Sequence, residues 1–276
     1  MKYNFDEIID RRGTESVKWD AVSERWGRND LLPMWVADMD FRTPSFVMNA
    51  LRKRLEHEVL GYTFACEEWY TSIINWLQSR HGWKVKREEL TFMPGIVRGL
   101  AFAIQCFTEK GDKVMVMPPV YHPFFLVTEK NKREVVYSPL VLRDGQYYID
   151  FDRFRKDIQG CKLLILSNPH NPGGRVWTRE ELEQIAEICY ESKTLVISDE
   201  IHADLTLPPY SISLLHLCQR KHVKIHSCSC LPAKHLICRD WQARTASSRT
   251  KRYVAVFRNT WRQASLAKDT CSLTLV

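Results

Sequence analysis

Two short apolar runs, each ending in a cluster of polar residues, constrain this chain more than any other feature. Lys-Leu-Leu-Ile-Leu at 162–166 leads into Ser-Asn-Pro-His-Asn-Pro-Gly-Gly at 167–174, and Thr-Leu-Val-Ile-Ser at 194–198 leads into Asp-Glu-Ile-His-Ala-Asp at 199–204. Runs of this length and composition read as buried strands. Between them, residues 178–190 carry apolar side chains at helical period, opened by a capping box of Thr178 and Glu181. The alternation extends upstream, with strand-like runs at 89–93, 113–117 and 134–137 and a helix-period stretch at 98–106. Such alternation predicts an α/β fold, a mainly parallel sheet with helices on both faces. Ligands in these sheets gather beyond the carboxyl ends of the strands, where both polar clusters fall.

Asp199 and Asn171 give that edge a chemistry. An aspartate there can keep a pyridinium nitrogen protonated, and an asparagine amide can donate to a phenolic oxygen on the same ring. Together these contacts describe pyridoxal phosphate, an electron sink that depends on the protonated ring. Either motif alone is unremarkable, since Asn-Pro-Gly-Gly is a turn and an aspartate after a strand is often only a helix cap. Their order and spacing together make the reading specific.

Composition narrows the class. With 276 residues and 45% hydrophobic content the chain can build a substantial core. No apolar stretch reaches membrane-spanning length, and the opening Met-Lys-Tyr-Asn-Phe-Asp-Glu lacks a signal-peptide profile, so a soluble cytoplasmic protein with no membrane partner is expected. The nine cysteines show no zinc-ligand spacing: Cys66, Cys106, Cys161 and Cys189 read as reduced thiols, Cys228-Ser-Cys230 is too isolated for a metal site, and no metal is expected. The net charge of +7 suggests nucleic acid until it is mapped. Residues 211–276 hold 12 Lys and Arg against two Asp and no Glu, leaving the first 210 residues at −3. Those basic residues show no amphipathic spacing with aromatics, so no nucleic-acid partner is expected.

Residues 5–20, Phe-Asp-Glu-Ile-Ile-Asp-Arg-Arg-Gly-Thr-Glu-Ser-Val-Lys-Trp-Asp, and 32–41, Leu-Pro-Met-Trp-Val-Ala-Asp-Met-Asp-Phe, join the two strand-end motifs to complete a pattern. From Asn4 to about Tyr210 the chain resembles the fold-type I pyridoxal-phosphate enzymes. Within them it resembles the MalY/PatB-type cystathionine β-lyases, carbon–sulfur lyases related to class I/II aminotransferases. The resemblance implies a large cofactor domain with a mainly parallel, seven-stranded-type sheet, incomplete here, and a small domain largely missing. Residues 1–45 would contribute to the small domain, 46–210 would form a partial cofactor-binding large domain, and 211–276 would stand apart as a tail. The active site would be a property of a homodimer.

The same resemblance assigns further residues. Gly95, Ile96 and Val97, in Pro-Gly-Ile-Val at 94–97, open a helix after a strand, where free backbone N–H groups suit a phosphate; a bare turn would look alike. Tyr121 falls where the family stacks an aromatic ring on the pyridine, although aromatics in such positions are more often core. Tyr62 matches the tyrosine that reaches the phosphate of the neighbouring subunit, against the plainer reading of a structural tyrosine in a turn. His202 stands where many aminotransferases carry a tyrosine, a departure shared with the lyases. The implied reaction is β-elimination from cystathionine or another cysteine S-conjugate to a thiol, pyruvate and ammonia. Aminotransferase chemistry and a non-catalytic remnant are the alternatives.

Residues 211–276 do not continue the family pattern. All 11 glycines precede them, where ordinary usage would place about five in a stretch of this length. Read from the third base of each codon, residues 232–242 permit Ser-Lys-Ala-Phe-Asn-Met-Pro-Gly-Leu-Ala, the family's Schiff-base lysine segment, over ten consecutive positions. The tail is therefore expected to be an out-of-frame product beginning near Tyr210, poorly packed, with no catalytic lysine in frame. Lys234 lies near the expected place, but Pro-Ala-Lys-His-Leu at 232–236 lacks the surrounding pattern.

Overall fold

The structure is a computed structural model and describes residues 3–93, 95–215, 227–231 and 235–238. The chain divides into two compact units, Met1–Phe64 and Ala65–Val276.

The first unit contains α1 (Val17–Asp20), α2 (Val22–Trp26) and α3 (Ser45–Leu55). Its centre is ionic. Arg11 donates to Asp38 and Asp40, each at 2.8 Å, Lys18 donates to Asp40 at 2.6 Å and to the Asp38 carbonyl at 3.0 Å, and the Trp19 indole donates to Asp40 at 2.8 Å. Lys18, Trp19 and Arg11 hold the Asp40 carboxyl well below its usual range. The two N-terminal segments that carried the family resemblance are thus fastened to each other. Apolar burial is slight: α3 buries no residue, and Ile8, Met34, Tyr62 and Phe64 are each at least 90% exposed.

The second unit runs α4 (Glu67–His81), β1 (Leu90–Phe92), α5 (Ile96–Phe107), β2 (Lys113–Val116), α6 (Pro123–Lys130), β3 (Glu134–Tyr137), β4 (Val141–Arg143), β5 (Gln146–Tyr148), α7 (Phe151–Asp157), β6 (Cys161–Ser167), α8 (Arg179–Glu191), β7 (Leu195–Asp199), β8 (Ser227–Leu231) and β9 (His235–Cys238). Seven strands form one sheet in the order β1-β9-β8-β7-β6-β2-β3, and β4 with β5 forms a separate hairpin. Pairing is parallel from β8 through β3. β9 is antiparallel to both neighbours, so β1 points the same way as the parallel strands.

Strand period two explains the uninterrupted apolar runs. Leu164 and Leu166 of β6 join Met115, Val196 and the helix residues Phe154, Ile158, Leu182, Ile185 and Ile188 in one core cluster. Leu163 and Ile165 join Val114, Val116, Ile197, Leu100, Ala103, Ile104 and Phe124 in the other. Because helices cover both faces, every residue from Leu163 to Leu166 is apolar. Each fully buried leucine or isoleucine contributes about 1.5–3 kcal/mol relative to exposure. The predicted capping box is present: the Glu181 N–H donates to Thr178 Oγ1 at 3.2 Å and the Thr178 N–H to Glu181 Oε2 at 2.7 Å.

Residues 211–215, expected with the poorly packed tail, continue the packed chain instead. Leu214 and Leu215 are buried, the Leu215 N–H donates to Glu200 Oε1 at 2.9 Å, and the Asn168 amide donates to the Ser213 carbonyl at 2.8 Å. Asn168 and Glu200, just beyond the ends of β6 and β7, supply these partners. Lys234 and residues 239–276 lie outside the described residues, as does Pro94.

Candidate active site

β7 ends at Asp199, directly opposite Ser167 at the end of β6, and the Asn168 N–H donates to the Asp199 carbonyl at 2.9 Å. The Asp199 side chain points into protein, with the residue 6% exposed. Its Oδ1 accepts the Ile201 N–H at 3.1 Å, and among the described residues no Lys, Arg or His forms an ion pair with it. Burial pushes the carboxyl up to about 6, opposed weakly by the Ile201 N–H. A carboxylate kept dry and without a cation is costly, and a cationic partner would relieve it.

Beside it, the loop after β6 carries Asn171. The Asn171 N–H donates to Ser167 Oγ at 3.1 Å, and its carbonyl accepts the Tyr121 N–H at 2.8 Å, while Val120 bridges Pro172. The loop after β2 and the loop after β6 are thus joined by backbone. The Tyr121 ring lies edge-on to Phe124, with centroids 5.9 Å apart, and packs against the core. The Asn171 side-chain amide makes no hydrogen bond among the described residues, which leaves its donors available.

His202 follows Asp199 at the start of the 3-10 turn Ala203–Leu205. Burial lowers its pKa, so the half-buried ring is neutral at neutral pH. The turn is anchored by Asp204, whose carboxylate accepts from the Trp76 indole at 2.9 Å and meets His81 Nε2 at 2.8 Å on α4.

Gly95 occupies the same sheet edge, after β1 and on the far side of β8 and β9 from Asp199. It is the N-cap of α5 at φ 121°, with no side-chain cap and open space where a Cβ would stand. The backbone N–H groups of Ile96 and Val97 lie in the first turn of that helix, the part suited to an anion. No bond among the described residues joins this turn to the Tyr121–Asn171–Asp199 group. Tyr62 belongs to the first unit, where it is 90% exposed.

Sequence reasoning missed the residues underneath. His170 is 2% exposed and Trp177 1% exposed, and the Trp177 indole donates to the Ser167 carbonyl at 2.9 Å. The only signal was a histidine and a tryptophan near a polar turn, which does not distinguish a buried support from a surface loop.

Residues 30–229 match the family model described as aminotransferase class I and II. This chain belongs to that family. Over 206 residues it is 50% identical to cystathionine beta-lyase PatB of Bacillus subtilis, an alignment covering 74% of this chain and 53% of that protein. Cystalysin from Treponema denticola, whose crystal structure contains a pyridoxal 5′-phosphate cofactor, is similar with a TM-score of 0.83 and 30% identity over 94% of this chain and 68% of that one. The PLP-bound C-S lyase from Staphylococcus hominis gives a TM-score of 0.79 and 35% identity over 96% of this chain and 73% of that one. The chain spans about half the length of the curated relatives it matches. The mainly parallel α/β sheet agrees with these neighbours, as the strand and helix periods predict; the sheet expected to be incomplete has seven strands, two of them, β8 and β9, from within residues 211–276, which were expected to stand apart.

Proposed function

We propose that this chain carries the pyridoxal-phosphate-holding layer of a carbon–sulfur β-lyase that cleaves cystathionine or a related cysteine S-conjugate to a thiol, pyruvate and ammonia. One observation carries the reading: Asp199, a buried carboxylate without a cation among the described residues, stands at the strand edge beside the free Asn171 amide. The residues present fit the cofactor. Asp199 would accept the pyridine N–H, Asn171 would donate to the ring oxygen, Tyr121 would stack on the ring, and the Ile96 and Val97 N–H groups would hold phosphate.

When bound, pyridoxal phosphate accepts the electron pair released at the substrate α-carbon, provided its ring nitrogen is protonated. Asp199 would serve that condition by staying ionised against the ring, which would return its own pKa towards the ordinary range. Burial lowers the His202 pKa, which disfavours a cationic ring beside Asp199. The likeness to PatB and to the Staphylococcus hominis lyase supports elimination over amino transfer.

The active form is proposed to be a homodimer in the cytoplasm, with Tyr62 contributing across subunits. The exposed apolar surface of α3 and its flanks supports a second copy as partner, and the free buried thiols of Cys161 and Cys189 suit a reducing compartment. The chain as written is proposed to be inactive, because residues 211–276 carry the Ser-Lys-Ala-Phe-Asn pattern only in the neighbouring frame.

Gene resequencing, cofactor titration and a turnover assay test these points. Restoring the family frame after Tyr210 is expected to produce the visible absorbance of a lysine-bound cofactor and pyruvate release from L-cystathionine, and Asp199→Ala in that protein is expected to abolish release. A restored protein without pyruvate release would overturn the lyase reading. Ordinary turnover by the unrepaired chain would overturn the frame reading and make Lys234 the candidate lysine.

A further inference from the structure

We infer that His170 is a positioning residue which locks the Tyr121 loop to the Asn171 loop and so fixes the spacing between the stacking ring and the amide before any cofactor arrives. The role given to those two residues rests on the reading above; the lock itself rests on geometry. His170 Nε2 lies 2.8 Å from the Pro119 carbonyl, two residues before Tyr121, and His170 immediately precedes Asn171. A carbonyl can only accept, so Nε2 carries the proton and donates.

Nδ1 then has a lone pair, and it is buried with no hydrogen-bond partner among the described residues. Burial lowers the pKa of the ring, outweighing the Pro119 and Ser167 backbone carbonyls, which favour the protonated form. A polar ring in a 2% exposed position costs desolvation that an apolar side chain would avoid, and the bond to Pro119 is the compensation visible for it.

The ring is held from several sides. The His170 N–H donates to the Arg175 carbonyl at 2.7 Å, and its own carbonyl accepts the Gly174 N–H at 2.8 Å. The imidazole meets Trp177 with centroids 5.4 Å apart. At Gly173 a Cβ would come within 3.0 Å of both His170 Cδ2 and Tyr147 Cδ2, so glycine lets the ring and the β4–β5 hairpin close on the loop together. Besides the His170 contact, the two site loops meet at the Tyr121–Asn171 backbone bond and the Val120–Pro172 bridge. Asn171 is the one residue that both bonds Tyr121 and follows His170, so a shift of the imidazole is passed to both cofactor contacts.

The test compares His170→Gln, whose amide N–H can reach the Pro119 carbonyl, with His170→Phe, which keeps ring volume but has no donor; His170→Leu replaces the latter where it does not fold. Hydrogen exchange of the Tyr121 amide and pyridoxal-phosphate affinity by absorbance titration are measured on the full chain. The donor-free variant is expected to speed Tyr121 exchange and weaken affinity by roughly tenfold or more, as loss of a buried hydrogen bond implies. The Asn168 amide, bonded within the strand edge, is expected to stay protected, and His170→Gln is expected to resemble the parent. Unchanged Tyr121 exchange without the donor, or equal loss in both variants, would overturn the inference. A parent chain that binds no cofactor would refute the roles of Tyr121 and Asn171 while leaving the exchange comparison to decide the lock.

Discussion

Replacing Asp199 by Asn is expected to stabilise the cofactor-free fold at neutral pH while weakening its hold on pyridoxal phosphate. The carboxyl titrates near 3.8 unfolded and is pushed up to about 6 in the fold by burial. Below the unfolded value both states are protonated and nothing is gained or lost. Between the two values the unfolded chain ionises first and the fold is penalised progressively. Above about 6 the full difference applies, roughly two pKa units or about 3 kcal/mol against the parent. Asparagine keeps the shape and an Oδ1 acceptor for the Ile201 N–H. Its extra amide N–H adds an offset that does not vary with pH, so the slope is the decisive quantity. Urea denaturation of parent and variant from pH 3 to pH 8 should show the variant gaining on the parent by about 3 kcal/mol across that range. A flat difference, or one that falls with pH, would show that the carboxylate has a compensating charge and would remove the reason for a pyridinium at this place. In the same proteins, absorbance titration should show much weaker cofactor binding by the variant.

At Gly95, alanine would have to adopt φ 121°, and an expected loss of about 1–3 kcal/mol in denaturant stability should accompany weaker inhibition of cofactor binding by inorganic phosphate. His170 titrates below its ordinary value in the fold, so the unfolded chain takes up its proton first and stability falls as pH drops below about 6.5; His170→Gln should remove that component, read as a shallower decline in urea midpoint between pH 6.5 and pH 5.

How legible these features were depended on the range of the forces involved. β6, α8 and β7 are readable because their apolar periods, and the cap at Thr178, are local properties of a dozen residues. Asp199 and Asn171 are readable for a related reason, since a buried strand ending in polar residues points at the sheet edge. The hairpin of Val141–Arg143 and Gln146–Tyr148 was missed although Asp144 and Gly145 take positive φ, as a tight Asp-Gly turn requires. Its strands are short and only partly apolar. In the first unit, α1 and α2 are too short to show a period; α1 is held by the ionic cluster around Asp40, and α2 places Arg25 and Trp26 against the Trp35 ring. Long-range contacts were invisible. Pro119 lies 51 residues from His170, and Trp76 and His81 lie 128 and 123 residues from Asp204, so no local pattern announces those partners.

The strand order also sets a timetable. The parallel ladder of β2, β3, β6 and β7 can assemble from chain made by residue 199, but β1, made far earlier, pairs among the described residues with β9 alone, Leu90 facing Ile237. During synthesis β1 therefore waits, with one edge of β7 equally unoccupied, until β8 and β9 emerge and fill the gap together. Nascent chains stalled before residue 227 should present two unpaired strand edges at once, a natural handle for chaperones and a point where self-association competes with completion of the sheet.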